Sequence, residues 1–179
     1  MKHKKIPINV ITGFLGSGKT TLLSEIIKSE GFEKAAIIIN EFGQVGIDHM
    51  LITKTDENII ELQNGCICCT IQKDLQNTLK DLYNRLKSNN IKEFDRVIIE
   101  TTGLADPFPI SNTLLNCEEL LKNYFLENLI TVVDAFNGNN TLTKYQEAIK
   151  QVSLASVIIL TKTDLISTSN LKKIVNKIK

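Results

Sequence analysis

Two groups of residues in this 179-residue chain have the types and spacing to do chemistry. Gly13-Phe-Leu-Gly-Ser-Gly-Lys-Thr20 is a complete phosphate-binding loop, and Cys66, Cys68 and Cys69 stand close together in Gly65-Cys-Ile-Cys-Cys-Thr70. In the loop, Gly13, Gly16, Ser17 and Gly18 let successive backbone N–H groups turn inward around phosphates, and the following helix points its positive end at them. Lys19 then neutralises the β and γ phosphates, and Thr20 offers its hydroxyl to magnesium. Three soft thiolates favour zinc or copper(I) over magnesium or calcium and leave a coordination position open for exchange; cobalt and nickel remain candidates. A metal-free turn or a redox pair is the competing reading of the thiols. Together, the two groups suggest a nucleotide switch that handles a soft metal.

Further residues extend both sites. Asp95-Arg-Val-Ile-Ile-Glu-Thr-Thr-Gly103 ends an apolar run on an acid. There Glu100 is suited to hold magnesium through water or to orient an attacking water, and the Gly103 backbone can approach a γ-phosphate. Thr161-Lys-Thr-Asp164 follows the last apolar run, where a guanine-reading turn would sit. Asp164 would accept from the ring NH and exocyclic amine of the base, and the Lys162 stem would lie along it. Such a turn usually begins with Asn, so Thr161 leaves guanine favoured over adenine but not assured. Between loop and acid lies Asn40-Glu-Phe-Gly-Gln-Val-Gly-Ile-Asp48, with Glu41, Asp48 and His49 as candidates for a fourth thiol-site ligand or for coupling to magnesium. His49 by itself reads as a surface histidine. A γ-phosphate that orders this segment would bias the thiols between two states. Arg85 and Arg96 are the only arginines, and neither is placed as a cis finger, which predicts slow intrinsic hydrolysis.

These groups need a scaffold that gathers loops at one edge. Short apolar runs at residues 8–12, 35–40, 97–100, 129–134 and 157–161 alternate with segments of helical period, the rhythm of a parallel sheet covered on both faces. Residues 59–62 are read as a further short strand. Helices are predicted over 19–29, 70–86, 110–121, 141–152 and 170–179. The last presents Leu171, Ile174, Val175 and Ile178 on one face, as an ordinary sheet-covering helix does. A sheet of this kind usually has another strand after such a helix, so the sequence reads as C-terminally incomplete.

Composition bounds the rest. Apolar residues make up 42% and charged residues 23%, near the average for globular domains, and the length suits one well-cored domain. A net charge of +1 supplies no field to gather nucleic acid or anionic lipid, despite lysine-rich ends. The basic start and apolar run resemble a signal peptide, but Gly16, Ser17, Gly18 and Lys19 interrupt the run. No stretch reaches the roughly 20 apolar residues of a membrane span. A cytoplasmic protein is expected. Cys68 and Cys69 are adjacent and poorly placed to bridge, so the cysteines suit a metal better than disulfides. Cys117, isolated, is expected to be an inert buried thiol.

Taken in order, Gly13–Thr20, Asn40–Asp48, Asn64-Gly-Cys-Ile-Cys-Cys69, Glu100-Thr-Thr-Gly103 and Thr161-Lys-Thr-Asp164 resemble the CobW-like metal chaperones, a branch of the P-loop GTPases. The Cys-x-Cys-Cys element separates this branch from the urease and hydrogenase nickel chaperones. The resemblance implies an α/β P-loop NTPase fold over residues 1–179, and a GTP hydrolase that binds zinc, sometimes cobalt, and delivers it to a client metalloprotein. It implies that Gly16 to Thr21, thus including Thr21, bind phosphates. Thr20 and Glu100, with Asp48 as a candidate, would serve magnesium. Cys66, Cys68 and Cys69, with Glu41 as the acidic switch residue, would hold the transferred metal, and Lys162 and Asp164 would read guanine. The family's smaller C-terminal domain and histidine-rich stores have no counterpart in this sequence. Neither nucleic acid nor membrane is an expected partner; a homodimer is a candidate assembly. Two other readings compete: a small P-loop NTPase or kinase with structural thiols, and a zinc-binding regulatory module without significant turnover.

Overall fold

The computed structural model describes residues 5–39, 59–61 and 70–179. Six strands form one parallel sheet: β1 (Ile6–Thr12), β2 (Ala35–Ile39), β3 (Ile59–Glu61), β4 (Arg96–Glu100), β5 (Tyr124–Asp134) and β6 (Val157–Thr161). Their spatial order is β3-β2-β4-β1-β5-β6. The helices are α1 (Lys19–Lys28), α2 (Thr70–Lys87), α3 (Phe108–Asn116), α4 (Glu118–Leu121), α5 (Gly138–Lys144), α6 (Gln146–Ser153) and α7 (Thr168–Ile178). Among the described residues, no helix is long and apolar enough to cross a membrane.

Parallel strands buried on both faces need apolar residues in both directions, and two separate clusters supply them. On one face Ile8, Val10, Ile38, Val97 and Ile99 pack with Leu75, Leu79 and Leu82 of α2 and with Ile110 and Leu114 of α3. On the other, Ile11, Ile37, Ile98 and Val132 pack with Leu23 of α1. The register aligns Ile11 and Ile39 with Glu100, and Ile39 with Glu61. Four strands therefore end together and launch the phosphate loop, the segment after Glu100 and the segments after β2 and β3, while the parallel strand β6 brings the Thr161–Asp164 turn to the same edge.

Several boundaries differ from the sequence reading. β5 begins five residues earlier than the apolar run suggests, because its first half, interrupted by Glu127 and Asn128, pairs with β1 alone. Partners shift between Ile8/Leu126 and Asn9/Asn128, leaving Glu127 as a bulge residue whose carboxylate accepts from Asn9 Nδ2 at 2.9 Å. The helix expected over 110–121 starts at Phe108 and breaks at Cys117, whose backbone is extended (φ −81°, ψ 104°). The helix expected over 141–152 starts at Gly138 and breaks at Tyr145, where the ring turns onto Phe14 with centroids 4.6 Å apart. α7 starts at Thr168, because the Ser167 side chain caps it by accepting from the Asn170 N–H at 3.3 Å. Its Ile174 is buried against Gly138 of α5, as a covering helix requires. Cys117 is partly rather than fully buried.

Candidate functional site

The phosphate loop leaves β1 at Thr12 and enters α1 at Lys19. Gly13 and Gly18 are required there for different reasons. A Cβ on Gly13 would collide with the Val132 carbonyl, whereas Gly18 takes φ +92° as the residue that opens α1. Ser17 N–H donates to the Phe14 carbonyl at 3.1 Å and closes the turn. The Lys19 ammonium, on a buried side chain, crosses the loop to donate to the carbonyls of Gly13 (2.8 Å) and Phe14 (3.3 Å). The lysine thus rests within the loop whose phosphates it is chemically suited to neutralise. Thr21 sits two positions further along α1 and is exposed.

β4 brings the acid to the same place. Thr20 Oγ1 donates to Glu100 Oε1 at 2.7 Å across 80 residues of sequence, and Glu100 is only 5% exposed. Beneath them the Thr101 hydroxyl donates to Thr12 Oγ1 at 2.9 Å, and Thr101 N–H donates to the Ile11 carbonyl. Both threonines are buried, so β1 and β4 stay zipped to the floor of the site. Gly103 then passes so close to the loop that a Cβ there would lie 2.8 Å from the Leu15 nitrogen. Two adjacent oxygen donors on rigid elements suit a small hard cation such as magnesium. When bound, that ion would be held by Thr20 and Glu100 and would supply positive charge beside the phosphates.

The turn after β6 closes the third side. Lys162 takes a left-handed conformation (φ +54°) and opens a short 3-10 turn, Thr163–Leu165, that carries the exposed Asp164. Its ammonium donates to the Gly16 carbonyl at 2.9 Å and to Asp134 Oδ2 at 2.7 Å. Thr161 Oγ1 donates to the Ser17 carbonyl at 2.7 Å, so this residue ties the turn to the phosphate loop rather than facing outward. Sequence reasoning missed Asp134, although it ends a buried strand on an acid just as Glu100 does. Its carboxylate also accepts from the N–H groups of Phe136 (2.8 Å) and Asn137 (3.1 Å). Burial pushes the Asp134 carboxyl upward, but the bonds from Lys162, Asn137 and Phe136 outweigh it and hold it below the ordinary aspartate range. A cavity of about 300 Å³ lies between the phosphate loop, the end of β5, α5 and α6.

The structure therefore brings Gly13, Gly16, Ser17, Gly18, Lys19, Thr20, Glu100, Gly103, Thr161 and Lys162 together. Glu41, Asp48, His49, Cys66, Cys68 and Cys69 lie outside the described residues, as does Asn40. The flanking elements still bear on them: β2 and β3 lead into these segments from the sheet edge that carries Glu100, and α2 begins at Thr70, directly after Cys69. Among the described residues, no three His, Cys, Asp or Glu side chains cluster as a metal site. The two arginines lie away from the phosphate loop. Arg96 stacks over Phe32 at 4.8 Å and pairs with Asp95, about 13 Å along β4 from Glu100 at the usual strand rise. Arg85 pairs with Asp81 at 3.6 Å on α2.

Comparison with known proteins gives a consistent picture. A family model described as CobW/HypB/UreG, nucleotide-binding domain, matches residues 7–179. The zinc chaperone YjiA of Escherichia coli is 44% identical over 160 residues, covering 89% of this chain and 50% of that protein. The zinc-regulated GTPase metalloprotein activator 1 of Dictyostelium discoideum is 35% identical, covering 98% of this chain and 44% of that protein. The crystal structure of Zn(II)-bound YjiA GTPase from E. coli superposes with a TM-score of 0.75 at 33% identity, over 98% of this chain and 54% of that one. Its lower identity belongs to a longer alignment than the 44% figure. HypB from Helicobacter pylori in complex with nickel shares the fold, with a TM-score of 0.62 at 20% identity. The chain spans about half the length of the curated relatives it matches.

Proposed function

We propose, since the chain belongs to the family of CobW/HypB/UreG nucleotide-binding domains, that it is the GTPase part of a metallochaperone. In this reading it binds GTP with magnesium and hydrolyses it to GDP and phosphate. It couples that cycle to holding zinc, or cobalt or another divalent ion, for delivery to a client metalloprotein. The observation that carries the reading is the three-way junction at the phosphate loop, where Thr20 meets Glu100 at 2.7 Å and Lys162 meets Gly16 at 2.9 Å. Phosphates, magnesium and base are thereby addressed by one rigid edge of the sheet. Residues 1–179 act as a single P-loop domain, with Lys19, Glu100 and Gly103 at the reacting phosphate and Lys162 and Asp164 at the base.

Cys66, Cys68 and Cys69, with Glu41, are the proposed holders of the metal that is carried. Their support is the chemistry of three closely spaced thiolates and the likeness to proteins named zinc chaperones. β2 ends beside Glu100 and β3 ends beside β2, so segments that continue from them can sense the phosphate end of the site. Hydrolysis is slow in the isolated chain, because neither arginine is placed to stabilise transition-state charge. The direct test is magnesium-dependent turnover of GTP against ATP, with and without one equivalent of zinc. A guanine preference and a zinc-dependent rate are expected. Equal use of both nucleotides, or indifference to zinc, would move the reading to an NTPase with structural thiols.

A further inference from the structure

Gln151 is a fully buried polar residue on α6 with no local motif to single it out. Its side-chain amide donates to two backbone carbonyls of the loop after β4, Gly103 at 3.2 Å and Ala105 at 3.1 Å. The Gln151 backbone carbonyl accepts in turn from the Thr131 hydroxyl at 2.6 Å, which locks α6 to the middle of β5. The next residue back, Lys150, reaches the same loop from outside and pairs with Asp106 at 2.9 Å. Burial pushes the Asp106 carboxyl upward, yet the Phe108 N–H and Lys150 outweigh this and keep it ionised well into acid.

Among the described residues, Gln151 and Lys150 tie Gly103, Ala105 and Asp106 to α6, while the Phe108 N–H holds Asp106 at the start of α3 and the Ala105 N–H closes a short turn on the Thr102 carbonyl. A loop that must present a backbone group to a phosphate has to be held to within a fraction of an ångström, and a buried amide with two acceptors does this without occupying the site itself. α6 also leads directly into β6 and the turn bearing Lys162 and Asp164. One short helix thus touches the loop at the reacting phosphate and feeds the turn at the base.

We propose that Gln151, assisted by Lys150, is a positioning residue of the phosphate site, holding the Gly103 loop at the distance where it distinguishes a nucleoside triphosphate from a diphosphate. The inference rests on the GTPase reading above. The test measures the affinity of the chain for GDP and for a non-hydrolysable GTP analogue, both with magnesium, together with kcat, KM and the thermal midpoint. Gln151→Met keeps the volume and removes the donors. It should leave GDP affinity within about twofold while lowering analogue affinity and kcat each about tenfold, the scale of one or two net hydrogen bonds. Gln151→Glu, the same shape with a carboxylate facing the two carbonyls, should lower both at least as far.

An equal fall for both nucleotides in step with the thermal midpoint would overturn the proposal in favour of a merely structural role, and so would no change. Should Gln151→Met not fold, the surface pair carries the test. Lys150→Asp should lower the analogue-to-GDP affinity ratio about threefold, the scale of an exposed ion pair, and adding Asp106→Lys should restore it; a ratio unmoved by Lys150→Asp overturns the proposal. An unaltered chain that binds neither guanine nucleotide would instead overturn the GTPase reading, and the positioning role with it.

Discussion

Gly103→Ala is the most informative single methyl that can be added to this protein. The backbone of Gly103 is not in the left-handed region, so alanine is conformationally allowed there, and any effect comes from contact. The new Cβ would lie 2.6 Å from Leu15 Cδ2, 2.8 Å from the Leu15 nitrogen and 2.9 Å from Leu15 Cα. The Leu15 side chain is 59% exposed and can swing away, but its backbone is the phosphate loop itself. Carbon contacts relax at about 3.5–4.0 Å, so loop and acid strand must part by roughly 0.5–1 Å. Overpacking of this kind costs about 1–3 kcal/mol, and a displacement near 1 Å at a reacting centre costs about a hundredfold in rate. Turnover of GTP should fall between about tenfold and a hundredfold, with the thermal midpoint lowered by several degrees. Leu15→Ala in the same chain should not rescue it, because the backbone contacts remain. Unchanged turnover in Gly103→Ala, or full rescue by Leu15→Ala, would refute the claim that these two segments touch.

Other perturbations separate the remaining parts of the site. Asp134→Asn removes the charge that holds Lys162 on the phosphate loop, and guanine-nucleotide affinity should fall several-fold by equilibrium titration, with a modest loss of stability near neutral pH. The folded Asp134 carboxyl titrates below the ordinary aspartate value of about 3.9, so its contribution is complete above that pH and lost as pH falls through the lowered value. Acid unfolding of Asp134→Asn should accordingly be shallower below about pH 4. Tyr124 is buried and donates to the Leu79 carbonyl at 3.0 Å; burial raises its hydroxyl well above the ordinary tyrosine value. Its contribution is present below about pH 10 and lost as pH rises further, so Tyr124→Phe should cost about 1 kcal/mol near neutrality and blunt alkaline unfolding. Thr101→Val breaks the buried pair with Thr12 and should cost about 1–3 kcal/mol by denaturant titration, since it leaves the Thr12 hydroxyl short of a partner.

The parts of the site that could be read in advance are those whose local sequence is constrained by what they do. Gly13, Gly18 and Lys19 must follow a strand and open a helix, and they do so at the expected positions. Glu100 was legible because an acid ending an apolar run has few structural reasons to be there. Asp134 carries the same signature, but with no glycine or threonine motif behind it the run at 129–134 reads only as scaffold. Gln151 carried no local signal, since a glutamine in an amphipathic helix reads as solvent-facing; only tertiary contact with the Gly103 and Ala105 carbonyls reveals its use. The breaks at Cys117 and Tyr145 escaped for a related reason. No proline or glycine marks either, and at Tyr145 the contact that accompanies the break is with Phe14, more than a hundred residues away. Periodicity also hid the first half of β5, where Glu127 and Asn128 serve a bulge and hydrogen-bond to Asn9 rather than fill a core.

The account turns on a nucleotide site and a thiol site acting as one device, and zinc affinity in defined nucleotide states tests that most directly. The chain would be titrated with zinc against a competing chelator, with magnesium and either GDP or a non-hydrolysable GTP analogue, alongside Cys66→Ser. The account predicts one zinc site, abolished by Cys66→Ser with nucleotide binding intact, whose affinity differs between the two nucleotides. Equal zinc affinity in both states, or zinc binding that survives loss of the thiol, would contradict it.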